Sequence, residues 1–286
     1  MKPGAVRIYV LVEDHARKRG FLGQHGFSAL VEVGTGRDVL RVLVDTGQDG
    51  SVVLSNASRL GLDLSKVDAI FITHGHYDHM GGLLEVLEHI GREGVLVVAH
   101  PDAFIPKFAY RNGKLISGSP RKLTPTDLEE RGAIVVLSRR PVRLADNVMT
   151  TGEVKRRTDF EHVEGFLKLG SDGLEEDLLL DDQALAIDTP KGLVVITGCA
   201  HSGVVNTVFH ARELMSRDEV YAVVGGFHLE GASQERITKT VEELARMGPE
   251  HMYACHCTGP RAFCAFLRAF GERARWPGSG DIIELA

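Results

Sequence analysis

Cysteine is scarce: four occur in 286 residues, which excludes the disulfide framework that staples small secreted domains. Cys255 and Cys257 stand too close together to be half of a zinc ribbon. Long apolar runs are lacking as well. The first such stretch, Val6 to Val12, runs straight into Glu13, Asp14 and His15. It is too short and wrongly flanked for a membrane span or a signal peptide, so the expected location is the cytoplasm and no membrane partner is expected. Nor is there an excess of basic residues. A formal net charge of -6 argues against a general nucleic-acid binder, which concentrates Lys and Arg to displace phosphate counterions.

What is present describes an ordinary globular chain. Hydrophobic residues make up 43% and charged residues 25%, enough apolar surface for a sizeable core, and disorder is excluded. The length fits one large domain spanning residues 1–286. Short β-rich runs recur at Arg7 to Val12, Ser28 to Val33, Val39 to Val44, Ala69 to Thr73, Val95 to Ala99, Ile134 to Leu137, Ala184 to Ile187, Leu193 to Thr197, Val220 to Val224 and Met252 to Ala254. Several are continuous apolar stretches, as in strands buried on both faces. Amphipathic helical patterns cover residues 82–90, 203–215, 232–247 and 260–270. Strands cluster first and helices follow, which suits two packed sheets covered by helices better than one doubly wound sheet. Pro101 to Arg143 has a looser pattern, with Pro106, Pro120, Pro125 and Pro141 after the first residue, and the acidic segment Ser171 to Asp182 reads as a solvated loop.

Thirteen histidines stand out, several of them beside glycines in loops that follow apolar runs. The densest group is His74-Gly75-His76-Tyr77-Asp78-His79-Met80-Gly81-Gly82, between the buried run Ala69 to Thr73 and a helical pattern. Neutral imidazoles and a carboxylate suit Zn²⁺ and related divalent ions, and the glycines let the backbone turn tightly enough to aim four ligands inward.

This H-x-H-x-D-H pattern resembles the signature of the metallo-β-lactamase-fold superfamily. The resemblance implies a four-layer αββα sandwich of two mixed sheets, an α/β (α+β) fold, with a family-specific insertion around residues 101–180. It assigns His74 and His76 to one metal, and Asp78 and His79 to a second. The run ending Val42-Leu43-Val44-Asp45-Thr46-Gly47-Gln48 resembles an earlier superfamily motif whose carboxylate orients the ligand loop, here Asp45. The same D-T-G occurs in aspartic proteases, but that chemistry needs two such carboxylates sharing a proton. Further runs, among them QHGFSALVEV, TGEVKRRTDFE, DDQALAIDTPKGLVVITGCAHSG, VVGGFHL and HCTGPRAFCAF, resemble the branch named for 7,8-dihydropterin-6-methyl-4-(β-D-ribofuranosyl)aminobenzene-5'-phosphate synthase.

Later ligands are expected at the ends of later strands. His201, in the turn Gly198-Cys199-Ala200-His201-Ser202-Gly203, is the expected third ligand of the first metal. His256 follows a strand, as the superfamily's last histidine does, and is assigned to the second metal. Cys199 stands where many members carry an acidic bridging residue; it is either a thiolate ligand or a small buried side chain. Alternation along an extended segment sends Cys255 and Cys257 to the face opposite His256. His228, after Gly225 and Gly226, is expected to handle a proton or touch substrate, with a structural role as the alternative. Asp181 and Asp182 read as a solvated strand start, with carboxylate ligation as the alternative, and His100 as structural or a pocket wall. Arg156 and Arg157, and with less reason Lys107, are candidates to hold a phosphate or carboxylate of the substrate.

The expected activity is that of a binuclear metal-dependent hydrolase with two divalent ions, Zn²⁺ or alternatively Mn²⁺ or Fe²⁺. Hydroxide activated by the metals would attack an ester or phosphoester of a small molecule, with Asp78 and His228 as the catalytic residues. Two alternatives stay open. One is a dihydropterin-arylamine phosphate synthase-type transferase that joins a pterin pyrophosphate to a phosphorylated arylamine and releases pyrophosphate. The other is a non-catalytic, metal-dependent ligand sensor.

Overall fold

Alternation along the strands decides what each side of a sheet buries. In the strand Val6–Val12, Val6, Ile8 and Val10 face a central core, whereas Tyr9 and Leu11 face helices. In Ala184–Thr189, Leu185 and Ile187 reach the same central core from the other side, and Ala184 and Ala186 face outward. Both faces of these strands are therefore apolar, which is why they read as continuous runs. The computed structural model describes all residues except 3, 37, 121, 122 and 286.

One sheet holds, in spatial order, Ile282–Leu285, Val6–Val12, Ser28–Thr35, Asp38–Val44, Ala69–Phe71, Val95–Ala99 and Ala133–Leu137. The other holds Ala274–Arg275, His251–Cys255, Val220–Gly226, Gly192–Thr197, Ala184–Thr189, Val148–Thr150 and Arg143–Ala145. Helices Gly50–Arg59 and Leu83–Ile90 cover the first sheet through Val53, Leu83, Val86 and Leu87. Helices Val204–Met215, Gln234–Met247 and Pro260–Phe270 cover the second through Val205, Val208, Ile237, Leu244 and Phe266. The result is the αββα sandwich expected from the sequence. No helix among the described residues is long and apolar enough to cross a membrane.

A third, four-stranded sheet pairs Gly173–Glu176, Phe166–Gly170, Lys107–Arg111 and Lys114–Ser117. The segment expected to be loose and the acidic segment expected to be a solvated loop thus contribute paired strands. These strands are half-buried or exposed for most of their length, so they carry no continuous apolar run. The acidic segment is not uniformly solvated either. Asp177, Asp181 and Asp182 are buried.

Both large sheets contain parallel pairs: Asp38–Val44 with Ala69–Phe71, and Gly192–Thr197 with Val220–Gly226 and then His251–Cys255. The loops beyond the carboxyl ends of parallel strands are where α/β proteins form crevices. Asp45, His74, Cys199, His201, His228 and His256 all follow such ends.

Candidate metal centre

Asp45 sets the geometry of the first loop. It is fully buried, with backbone φ 56°. Its Oδ1 accepts the Thr73 N–H at 2.8 Å, and its Oδ2 accepts the Thr73 hydroxyl and His79 Nδ1, each at 2.7 Å. A carboxylate only accepts, so His79 carries its proton on Nδ1 and presents the Nε2 lone pair to the site. With its proton given to Asp45, the Thr73 oxygen accepts from His74 Nδ1 at 3.1 Å. His74 therefore also presents Nε2 as a lone pair, 3.0 Å from His76 Nδ1. Asp181 holds the same loop from the other side by accepting the Gly75 N–H at 2.8 Å.

Two ligand groups result. His74, His76 and His201 each offer one ring nitrogen, all within 4.8 Å of one another; alongside, Asp78 offers a carboxylate oxygen, His79 and His256 a ring nitrogen each and Cys199 its Sγ, again within 4.8 Å of one another. Buried polar atoms in this region fit a cation. Among the described residues neither ring nitrogen of His201 has a hydrogen-bond partner, nor does His256 Nε2. His256 donates from Nδ1 to Asp14 at 2.7 Å, and its Nε2 faces Asp78 Oδ2, 3.4 Å away. A ring nitrogen and a carboxylate oxygen facing each other in a buried site call for a proton or a metal cation between them.

The charge states agree with the geometry. Burial lowers His74 and His201 well below the usual imidazole range and His76 to about 4, which keeps all three neutral and competent to coordinate. Burial alone would raise Asp78, but His79 and His256 outweigh it and hold the carboxyl well below its ordinary range. Burial likewise disfavours charge on His256, yet Cys257, Asp14 and Asp78 raise its pKa well above the usual range. A metal ion would displace that proton. Burial pushes the Cys199 thiol up, so a thiolate there needs a cation beside it. Its Sγ lies 3.1 Å from His79 Nε2.

Over the ligands opens a cleft of about 430 Å³, lined by His76, Asp78, Cys199, His201, His228 and His256 on its floor and by Tyr77, Phe108, Arg111, Ile116 and Phe166 on its walls. Phe166 stacks on His76 at a ring distance of 5.3 Å. His228 is half-buried with φ 45°, its ring 4.2 Å from that of His201 and its Nδ1 without a partner among the described residues.

A family model described as the metallo-beta-lactamase superfamily matches residues 24–205, more than half of the chain. The chain belongs to that superfamily. It is 35% identical to 7,8-dihydropterin-6-methyl-4-(beta-D-ribofuranosyl)-aminobenzene-5'-phosphate synthase of Methanocaldococcus jannaschii, over 98% of this chain and 97% of that protein. Among solved structures it resembles Tm1679, described as a metal-dependent hydrolase of the beta-lactamase superfamily, with a TM-score of 0.80 and 32% identity over 98% of this chain and 99% of that one. A diphosphatase of the PhnP family shares the fold with a TM-score of 0.52 and 15% identity, over 98% and 97% of the two chains.

Not every residue singled out from the sequence lies in this superfamily site. Arg156 donates to the carbonyls of Leu178 and Leu179, and Arg157 pairs with Glu213. Neither lines the cleft. Lys107 is buried between Asp177 (2.7 Å) and Asp181 (3.0 Å) rather than facing substrate. His100 is a structural residue that bonds Glu153 and the Asp102 N–H. Asp181 and Asp182 are buried, not solvated; burial raises Asp182 to about 6 although the Ser202 N–H donates to it. Cys257 lines the cleft, because His256–Thr258 is a turn of 3-10 helix and strand alternation stops at Cys255. Two further residues belong to the site. His25 lies on the cleft wall between Asp14 (3.0 Å) and Asp78 (3.4 Å), and Asp14 follows a strand end just as the histidine loops do.

Proposed function

We propose that this protein is a binuclear metal-dependent hydrolase that opens an ester or phosphoester bond of a small molecule. The observation that carries this reading is the pair of adjacent ligand groups on the floor of one open cleft, with the nitrogens of His201 unpartnered. His74, His76 and His201 would hold one ion; Asp78, His79 and His256 would hold the other, with Cys199 beside them. Divalent ions bound there supply Lewis acidity toward the ester or phosphoryl oxygen and ease deprotonation of water near neutral pH.

The chain's own residues supply the rest. Asp45 fixes the His79 tautomer directly and that of His74 through Thr73. Phe108 and Phe166 offer apolar walls that exclude water from a flat substrate. His228 lines the same cleft with its ring against that of His201 and is the residue we assign to protonating the leaving oxygen. Because ligands come from both halves of the chain, we read residues 1–286 as one functional unit.

A second reading, a transferase that joins an arylamine to a pterin-like pyrophosphate, draws on the near full-length likeness to the Methanocaldococcus jannaschii synthase. One assay separates the two. Metal-loaded protein is incubated with phosphoesters, and with a dihydropterin pyrophosphate in the presence and absence of 4-(β-D-ribofuranosyl)aminobenzene 5'-phosphate, while phosphate and pyrophosphate release are followed. Release without the amine supports hydrolysis. Pyrophosphate release that depends on the amine supports the transferase. Metal-replete protein that turns over neither set, yet binds these compounds, would overturn both and leave a sensor.

A further inference from the structure

The hairpin Lys107–Arg111 to Lys114–Ser117 turns through Asn112 and Gly113, whose φ angles are 52° and 73°. Two residues with positive φ make the tight loop that matches strand twist, so the register of the hairpin is fixed. That register sets Arg111 directly opposite Lys114. Both project from the face that carries Ala109 and Ile116, and Ala109, Arg111 and Ile116 line the cleft.

Like charges directly opposite one another weaken a strand pair. Among the described residues neither Arg111 nor Lys114 forms an ion pair within 4.0 Å. The other lysines of this sheet differ: Lys107 is paired with Asp177 and Asp181, and Lys168 with Asp102 and Glu175. Two exposed cations thus share one rung at the hairpin tip, Arg111 on the cleft lining and Lys114 opposite it, while the carboxylates that line the cleft, Asp78 and Glu230, form no ion pair with either among the described residues.

We infer that the tip of this hairpin is a phosphate subsite, in which Arg111 and Lys114 together take a terminal phosphate monoester of the substrate. A phosphate carries about 1.5 to 2 negative charges near pH 7, which suits two cations better than a carboxylate does, and a guanidinium can bind two phosphate oxygens at once. The position also sets substrate length. Gly118 lies against His76, and the Phe108–Ser117 rung stands next to it. Arg111 is three residues further along the strand, or roughly 10 Å at the usual rise. The reacting bond would sit over the ligands, a ring along Phe108, Ile116 and Phe166, and the phosphate at the tip. This inference rests on the proposed small-molecule enzyme and names its substrate class: a flat or apolar body with a phosphate at the end remote from the reacting bond.

The test is a titration of inorganic phosphate into the metal-loaded full chain, read at backbone amides by NMR. The expected result is a saturable shift at Asn112 and Gly113, separate from any response at Gly75 and Gly81 in the ligand loop. In Arg111→Ala and Lys114→Glu the affinity at the tip should fall about tenfold or more, the size of one lost charge-assisted hydrogen bond, with metal content retained. Acetate should shift the tip far less than phosphate. An unresponsive tip in the parent, or an unchanged response in Lys114→Glu, would overturn the subsite. Failure of the enzyme reading looks different: the tip still responds, but no phosphorylated compound is turned over.

Discussion

Asp45 accepts three hydrogen bonds in a fully buried position, two from Thr73 and one from His79, and its backbone is held in the left-handed region by the strand-end turn. In Asp45→Asn the shape is kept, but an amide nitrogen would face either the His79 Nδ1–H and the Thr73 hydroxyl or, flipped, the Thr73 backbone N–H, donor against donor. The expected outcome is a 10- to 100-fold loss of metal affinity, the usual cost of removing such an orienting partner, measured by competition with a chromophoric chelator. Parent-like affinity would show that His79 does not depend on Asp45 for its orientation. Gly198 makes the complementary case. A Cβ there would come within 2.1 Å of the Thr73 hydroxyl and 2.9 Å of Asp45 Oδ2, so Gly198→Ala must push Thr73 off Asp45. The expected destabilisation is about 1–3 kcal/mol, as for other overpacked cores, read from urea unfolding of the metal-free form. A change within about 0.5 kcal/mol, the ordinary range for a neutral site, would mean the loop yields freely.

At the scale of loops, strands and helices, what could be read from the sequence follows from burial. Continuous apolar runs ending in glycine and histidine are visible because both faces of those strands are covered, and they bring His74, His76, Asp78, His79, His201 and His256 together in the structure. The small sheet is hidden because its strands are half-solvated, and with it went Arg111 and Phe166. His25 gave no signal because its role comes from Asp14 across a loop. Arg156 and Arg157 looked basic and free, yet they serve carbonyls and Glu213. Glu161, also unmarked in the sequence, closes the start of the helix Val204–Met215 by accepting the Val205 and Asn206 N–H groups at 2.9 and 2.8 Å. Burial raises its pKa from 4.5 to about 7, against the pull of those two donors. An acid raised on folding binds its proton more tightly in the native state. Its contribution is therefore favourable below pH 4.5 and is lost as the pH climbs through about 7. The full shift corresponds to a penalty on the order of 3 kcal/mol. Unfolding free energies of the parent, compared with Glu161→Gln from pH 4 to pH 8 at about one-unit steps, should diverge with the parent falling faster. Parallel curves would show that the helix N-terminus holds Glu161 ionised at little cost.

For the molecule as a whole, the centre lies where the two sheets meet, with Asp14, His25, Asp45 and the first histidine loop from one sheet and Cys199, His201, His228 and His256 from the other. Ions bound there would bridge the halves of the sandwich and, by preferring the native state, would stabilise it by mass action: about 4 kcal/mol for each site at a thousandfold excess over Kd. Chelation should therefore lower Tm by on the order of 10 °C in a chain of this size. His201 allows a sharper version of the experiment. Its two ring nitrogens are buried without partners among the described residues, and an unsatisfied buried polar group costs roughly 1–3 kcal/mol. With metal present His201 repays that cost as a ligand; after chelation it cannot. His201→Leu should then be less stable than the parent when both are metal-loaded, and equally or more stable when both are metal-free. Calorimetric scans of the four samples give the sign directly. If the variant is weaker in both states by the same amount, His201 acts as core packing, and the first metal must be held by His74 and His76 without it.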